Sequence, residues 1–362
     1  KFKEDKEPVK SIVIACNTAT AYAKEHIEEF IAKSGINLKI IGVIDAGAKG
    51  VLSALKKNEN GSIGVLATVG TIASKGYERT INIMKDSLKY SGQLEIFNQG
   101  GYGLAESIDG IPDFINTTLS KPRNDYRGPK LDRGEFAIDR TLLSIYNFDF
   151  SRNKMLCDSK IVDDCNILQI NSPDNYLRYH LVSLMEQIRK AKNAPQLKAI
   201  VLGCTHYPYL VKEIRQILND LYRYKKNGKY VYRPMMAENI RIVDPAENVA
   251  TELFEYLREN KLFNSHVASS PKSEFYITVP SLTNANTRLS EHGGFTYEYK
   301  YGRKAGEIQE YVKTVPFSKN NIPPETIERL KRLTPALFQQ IKVFEKSSTK
   351  MAEIPPAEKI TN

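Results

Sequence analysis

The chain has 362 residues, 41% of them hydrophobic and 26% charged, which is long enough for two domains with sizeable cores and typical of globular proteins. No apolar run approaches the roughly eighteen residues of a membrane helix, and residues 1–10 lack the apolar segment of a signal peptide, so we expect a soluble protein without a membrane partner. The formal net charge of +10 permits attraction to anions. Basic and acidic residues alternate along the chain, however, so we attribute the charge to solubility and do not expect nucleic acid as a partner.

Short apolar strands alternate with helical patterns from residue 11 to residue 98. The pattern predicts strands at residues 11–15, 38–44, 63–67 and 93–98, and helices at residues 17–30, 46–55 and 72–90. Each strand is a nearly continuous hydrophobic run, which favours a parallel sheet with both faces covered by helices.

The alternation stops between residues 111 and 170, where proline and glycine break the chain repeatedly and the charges show no clear period. We interpret this region as an irregular, partly ordered insertion at about residues 111–170, on the rim of a domain. Alternation then resumes, with helices predicted at residues 175–192, 209–221 and 247–259, and strands at residues 197–202, 240–243 and 275–279.

Two stretches of the chain are close to copies of each other. Each is a β-branched strand that ends in a cysteine and polar residues before a helix: Cys16 with Asn17 and Thr18, and Cys204 with Thr205 and His206. Two such units indicate an α/β protein of two pseudo-symmetric, doubly wound domains with mainly parallel sheets. The active site is then expected in the cleft between them, at the carboxyl ends of the strands.

We place the domain boundaries accordingly. The first domain takes residues 1–43 plus 212–280, and the second takes residues 44–211 including the insertion. Residues 281–362 form a C-terminal extension, with an amphipathic helix at residues 324–344 and a disordered tail from residue 347.

The position of the two cysteines suggests their chemistry. The amino terminus of a helix favours a thiolate, which is a nucleophile and also a base. Two thiols on opposite faces of one carbon can invert it, because one removes a proton while the other returns one from the far side. Asn17, Thr18 and Thr205 would hold a substrate carboxylate, and His206 would supply a proton to Cys204 or orient it.

Other interpretations of the cysteines remain open at this point. A cysteine at the end of a strand is often only part of the core, although the polar residues after both cysteines favour a site. Cys157 and Cys165 lie in the insertion without Cys-x-x-Cys spacing, so neither a metal site nor a disulfide scaffold is expected from them. Free thiols at the strand ends fit a reducing cytoplasm.

The two cysteine motifs resemble the signatures of the aspartate/glutamate racemase family, and within it those of the members that act on glutamate. The resemblance rests on the two stretches at residues 15–19 and 202–208, with weaker support at residues 41–44, 63–71 and 243–246. It covers roughly residues 10–100 and 172–280.

The resemblance implies an isomerase that interconverts L- and D-glutamate without pyridoxal phosphate or any other cofactor, and that supplies D-glutamate for peptidoglycan synthesis, cell-wall biogenesis and cell shape in a bacterial cytoplasm. Cys16 and Cys204 take the roles of the acid/base thiols, with His206 assisting Cys204. Asn17, Thr18, Thr205 and His206 take substrate-binding roles, joined by Thr71, and Glu106 is a candidate acidic assistant. The implied partners are glutamate and a second copy of the chain in a homodimer.

The family also has a first strand that ends in Asp-Ser-Gly and a Tyr-Gly loop, and neither precedes Cys16 here. We therefore expect the numbered chain to lack its start. Two alternatives stay open: a relative that acts on aspartate or another amino acid, and a non-catalytic family member that works as a binding or regulatory protein.

Overall fold

The computed structural model describes residues 8–161, 164–263, 273–291, 293–296 and 311–361. The chain divides into two compact units, Lys1–Phe263 and Asn264–Asn362, which we call the N-terminal and C-terminal units. No helix within these described ranges is both long and apolar enough to cross a membrane.

The N-terminal unit alternates strands and helices, as the sequence predicts. Its first part contains β1 (Ser11–Ile14), α1 (Asn17–Lys33), β2 (Lys39–Gly42), α2 (Val43–Ser53), β3 (Gly61–Ala67), α3 (Val69–Ala73), α4 (Gly76–Ser87), β4 (Leu94–Gly100) and α5 (Leu104–Ile108). Its second part contains α6 (Leu143–Tyr146), β5 (Met155–Cys157), β6 (Leu168–Ile170), α7 (Pro173–Lys190), β7 (Leu197–Gly203), α8 (Val211–Arg223), β8 (Lys225–Lys226), β9 (Lys229–Tyr230), β10 (Met236–Val243) and α9 (Pro245–Glu259).

A parallel four-stranded sheet in the order β10-β7-β3-β4 forms the centre of this unit, and β1 and β2 form a separate parallel pair. Successive side chains of a strand point to opposite faces. Val65 accordingly packs in a cluster with Leu52 of α2 and Ile81 of α4, whereas Leu66 belongs to a second cluster with Leu181 of α7. Both faces are covered, so the prediction of an α/β fold with mainly parallel sheets is confirmed.

The sheet crosses one predicted domain boundary. Strand β10, which the predicted division assigns to the first domain, pairs with β7 of the second, with Arg241 opposite Ala199. The prediction of a single helix at residues 72–90 is wrong in one respect, because the structure has two helices there, α3 and α4. Lys75 between α3 and α4 has a left-handed backbone conformation with φ of 54°, which interrupts helical hydrogen bonding.

The insertion at residues 111–170 has few regular elements, as predicted, but it has a packed interior. Phe114, Leu131 and Ile138 belong to the same core cluster as α7 and the four-stranded sheet. Cys157 and Cys165 form a disulfide across an eight-residue separation, which the sequence did not predict. The thiols of Cys16 and Cys204 are free, as expected.

The C-terminal unit contains β11 (Tyr276–Pro280), β12 (Val312–Pro316), α10 (Pro324–Leu333) and α11 (Pro335–Ser347). The structure differs here from two predictions, one on a domain boundary and one on the length of a helix. The strand predicted to close the first domain is β11, which pairs antiparallel with β12 inside this unit. The single helix predicted at residues 324–344 is split at Thr334, because Pro335 cannot donate the next helical hydrogen bond.

The prediction of a disordered tail is also wrong. The Glu345 side chain is 2% exposed and accepts hydrogen bonds from the backbone of Ile360 at 2.6 Å and of Thr361 at 3.2 Å. Ile360 and Met351 are buried as well. A buried carboxylate requires such partners, so the chain end is tied to α11.

Candidate active site

Cys16 lies at the junction between β1 and α1. The Thr20 hydroxyl donates to the backbone oxygens of Ile14 at 3.0 Å and Cys16 at 2.9 Å, which fixes the turn from strand to helix. Cys16 is the N-cap residue of the 17-residue helix α1, and its side chain makes no capping hydrogen bond. The result is an exposed, free thiol at a helix amino terminus, where the helix dipole favours negative charge.

Cys204 directly follows β7 and is buried, with 6% of its surface exposed. The preceding residue, Gly203, has to be a glycine, because a Cβ there would lie 2.6 Å from the Cβ of Ala67 on β3. Gly203 thus allows the end of β7 to pack closely against β3, and Cys204, the next residue, is buried there. Tyr207 is fully buried beside it, and burial together with the Cys204 charge raises the pKa of that phenol well above its ordinary value.

His206 links Cys204 to an acidic residue that the sequence did not single out. Its Nδ1 lies 3.5 Å from the Cys204 sulfur, and its Nε2 lies 2.8 Å from Oδ2 of Asp109. The hydrogen bond with Asp109 is the main cause that raises the pKa of His206 to about 10, followed by the contact with Cys204. At neutral pH the ring is therefore charged and donates from both nitrogens.

This arrangement makes His206 a proton donor that faces a thiol. Because an imidazolium has no acceptor nitrogen, Nε2–H donates to the Asp109 carboxylate and Nδ1–H points at the sulfur. Asp109 comes just after α5, and nothing in its local sequence distinguishes it from an ordinary helix end. Glu106, predicted as the acidic assistant, lies within α5, where its charge contributes to the raised pKa values of Tyr176 and Tyr207.

Three threonine hydroxyls meet where α1 approaches α3. The Thr18 hydroxyl oxygen lies 3.1 Å from that of Thr71 and 3.2 Å from that of Thr68, and the hydroxyl oxygens of Thr68 and Thr71 are 2.9 Å apart. Thr18 and Thr71 were both predicted as substrate-binding residues, and the structure brings them together. Thr68, the N-cap residue of α3, was missed, although it stands in the same sequence motif.

Tyr77 connects the surroundings of the two cysteines. Its hydroxyl donates to Oδ1 of Asn17 at 2.7 Å, and a Cβ on Gly203 would lie 3.0 Å from its ring. The side chain is 2% exposed, and burial is the main cause that raises its pKa, with the charges of Asp244, Asp45 and Cys204 adding to the effect. Tyr77 is thus a permanent hydrogen-bond donor that contacts the residues next to both thiols.

The remaining predictions have simpler outcomes. Thr205 is exposed beside Cys204, so its hydroxyl is accessible to a ligand. In the part of the chain that the structure describes, Cys157, Asp158 and Cys165 have ligand atoms within 4.8 Å of one another, but the two sulfurs are joined as a disulfide. That cluster therefore offers no pair of thiolates to a metal.

Comparison with known proteins agrees with the resemblance seen in the sequence. No family model matches the chain. The glutamate racemase of Thermoanaerobacter sp. strain X514 is 25% identical over 272 residues, which cover 75% of this chain and 65% of that protein. The glutamate racemase of Lactobacillus johnsonii is 26% identical over 270 residues, covering 75% and 65%. That of Aquifex pyrophilus is 25% identical over 303 residues, covering 82% and 78%.

Solved glutamate racemases are also similar to this chain. Isoform RacE1 from Bacillus anthracis aligns with a TM-score of 0.39 and 21% identity, over 72% of this chain and 62% of that one. The enzyme from Campylobacter jejuni aligns with a TM-score of 0.33 and 19% identity, over 72% and 64%. The chain thus resembles glutamate racemases in sequence and spans 65% of the length of the first curated relative.

Proposed function

We propose that this chain carries the catalytic residues of a glutamate racemase, a cofactor-independent isomerase that inverts the α-carbon of glutamate with two thiols. The observation that carries the proposal is the paired cysteine motif, with the neighbours of Cys16 and Cys204 meeting at the single side chain of Tyr77. The curated relatives are named glutamate racemase, which supports glutamate as the substrate. The product, D-glutamate, would serve peptidoglycan synthesis in a bacterial cytoplasm.

In the proposed reaction, one proton leaves one face of the α-carbon and another proton is added to the opposite face. One cysteine, as a thiolate, takes the α-proton, so that the C–H bond breaks, an S–H bond forms and the electron pair stays on the substrate as a carbanion. The other cysteine, as a thiol, gives its proton from the opposite face and becomes the thiolate. The two sulfurs thus end the turnover with exchanged protonation states, and no electron acceptor is needed.

The surrounding residues stabilise this charge. His206, which stays protonated up to about pH 10, can hold a thiolate at Cys204 or return a proton to it. Asn17, Thr18, Thr71 and Thr205 supply amide and hydroxyl groups for the substrate carboxylates and ammonium. Fixed donors of this kind stabilise the developing negative charge next to the α-carbon.

Deuterium exchange tests the proposal directly. The protein that carries this chain, incubated with L- or D-glutamate in D₂O, should incorporate solvent deuterium at the α-carbon and form the other enantiomer, as followed by ¹H NMR and chiral chromatography. Exchange with aspartate at an equal rate would contradict the assignment to glutamate. Binding of glutamate without exchange or inversion would instead identify a binding protein.

Tyr77→Phe should separate substrate positioning from chemistry. The substitution keeps the buried ring but removes the hydrogen bond to Asn17, which contributes about 1 kcal/mol to holding that amide in place. We expect KM for glutamate to rise by roughly fivefold to tenfold with kcat nearly unchanged, in steady-state assays. Tyr90→Phe is the matched control, because it also removes one hydroxyl hydrogen bond, to the backbone of Leu52 in the second half of α2. An equal rise in KM for both variants would show that Tyr77 acts only through stability.

A further inference from the structure

The strongest local concentration of positive charge lies on the hairpin formed by β8 and β9, with the residues that flank it. No aspartate or glutamate occurs between Asp220 and Glu238, and this stretch carries five cations. They are Arg223, Lys225, Lys226, Lys229 and Arg233, and all five are exposed. The even mixture of charges that characterises the chain as a whole therefore does not hold here.

The hairpin has a fixed shape. Its turn residues Asn227 and Gly228 have φ values of 52° and 76°, the left-handed pair that a two-residue hairpin turn requires. At its base, the buried Tyr232 donates a hydrogen bond of 2.6 Å to Glu186 of α7. The positive groups are thus presented by a rigid ribbon that is anchored in the core.

Two of the cations lie against tyrosine rings and form no ion pair with a carboxylate. The guanidinium of Arg233 lies 4.9 Å from the ring centre of Tyr222 and 4.6 Å from that of Tyr230, and the Lys225 ammonium lies 4.5 Å from Tyr230. Among the described residues, none of the five hairpin cations has a carboxylate within ion-pair distance. Cation–π contacts leave the outward-facing N–H groups available to an anion, and they lower the entropy lost when one binds.

We infer that this hairpin is a binding surface for single-stranded nucleic acid. Lysine and arginine that follow a phosphate backbone, together with planar side chains on which bases stack, are the two features that such surfaces combine. The Arg233 guanidinium and the exposed ring of Tyr230 supply planar groups, and Lys225, Lys226 and Lys229 supply the charge. The tip, Asn227 and Gly228, carries no apolar side chain to insert into a bilayer, which disfavours a lipid surface.

Fluorescence anisotropy with the whole protein tests this inference, independently of racemase activity. The probes are fluorescein-labelled oligo(U) and oligo(dT) of roughly 20 nucleotides, which exceeds the usual site size. We expect binding that weakens between about 50 and about 200 mM salt, with a log–log slope of about −0.7 for each phosphate contacted. Absence of binding at the lower salt concentration would overturn the inference.

Two variants locate the surface. The triple variant Lys225→Ala, Lys226→Ala, Lys229→Ala should bind at least about tenfold more weakly and lose about two units of the salt slope. The control with Ala at the exposed Lys49, Lys56 and Lys121 removes the same charge from other elements and should bind like the unchanged protein. Equal losses in both would mean that net charge, not the hairpin, causes the binding.

A further variant and a vesicle experiment decide the kind of partner. Arg233→Lys keeps the charge but removes the planar group, so binding should weaken by about threefold to tenfold if bases stack on it. Unchanged affinity would contradict the stacking.

Sedimentation with phosphatidylcholine vesicles, with and without phosphatidylserine, is expected to leave the protein in the supernatant. Hairpin-dependent binding to the anionic vesicles but not to the oligonucleotides would overturn the inference in favour of a membrane surface.

Discussion

Cys204→Ala should lower racemisation of glutamate by at least about 1,000-fold, because general acid–base catalysis by one group contributes about 10²–10⁴-fold and this variant loses the donor and the acceptor on one face. Cys16→Ala should have a similar effect for the other face. Loss of one thiol leaves the other able to remove a proton, so each variant should still exchange the α-proton of one enantiomer slowly. The two variants should differ in which enantiomer they exchange, as measured by ¹H NMR in D₂O.

The control for these variants is the double substitution Cys157→Ala, Cys165→Ala. It removes the other two cysteines of the chain, which form a disulfide in the insertion and have no proposed role in the proton transfer. Racemisation should stay close to that of the unchanged protein. If either Cys16→Ala or Cys204→Ala kept full activity, or if both exchanged the same enantiomer, the two-thiol mechanism would be wrong.

Asp109→Asn should lower kcat/KM by about 100-fold at pH 8. The effect should arise because Asp109 keeps His206 charged, and not because Asp109 contacts the substrate. The neutral amide no longer stabilises the imidazolium, so the pKa of His206 should fall from about 10 towards its ordinary value of 6.5. A group with a raised pKa is charged below that pKa, and lowering the pKa removes the charge from the alkaline side first. The alkaline limb of the pH–rate profile should therefore move to lower pH.

The pKa itself is measured by NMR titration of the histidine Cε1 protons, with the His206 signal assigned from its loss in His206→Asn. The matched control is Asp86→Asn, an exposed acid on α4, which should leave both the titration and the rate unchanged. An unchanged His206 pKa in Asp109→Asn, with a reduced rate, would show that Asp109 acts by another route. Glu106→Gln tests that alternative, because Glu106 lies on α5, the short helix that ends just before Asp109.

The order of strands and helices followed closely from the sequence, because hydrophobic period and length are local properties. The strands at residues 61–67 and 197–203 were predicted to within two residues, and Cys204, Thr205 and His206, which follow the second of them, were predicted as site residues. Predictions failed where a single residue overrode the period. Lys75 divides one predicted helix and Pro335 another, and in both cases the surrounding apolar spacing remains helical.

The insertion and the C-terminal tail show a different kind of error. Both have a polar, irregular sequence, and both are nevertheless packed, because their order depends on contacts with distant residues. Glu345 holds Ile360 and Thr361 across fifteen and sixteen positions of the chain, and no local pattern marks that contact. Absence of periodicity indicates irregular structure, but by itself it does not predict disorder.

The expectation that both cysteines follow buried strands is wrong for β1, in which Val13 is 37% exposed. Cys204 is also separated from the start of α8 by a turn and a short 3₁₀ helix.

What the sequence alone determined is that two cysteines each end a strand and are followed by residues able to bind an anion. That much is local, since a strand, a thiol and a capping residue are neighbours in the chain. Only the tertiary structure placed Asp109 on His206, 97 positions away, and Tyr77 on Asn17, 60 positions away. Such pairs depend on how α4 and the end of α5 pack beside the four-stranded sheet, and no short stretch of sequence specifies that packing.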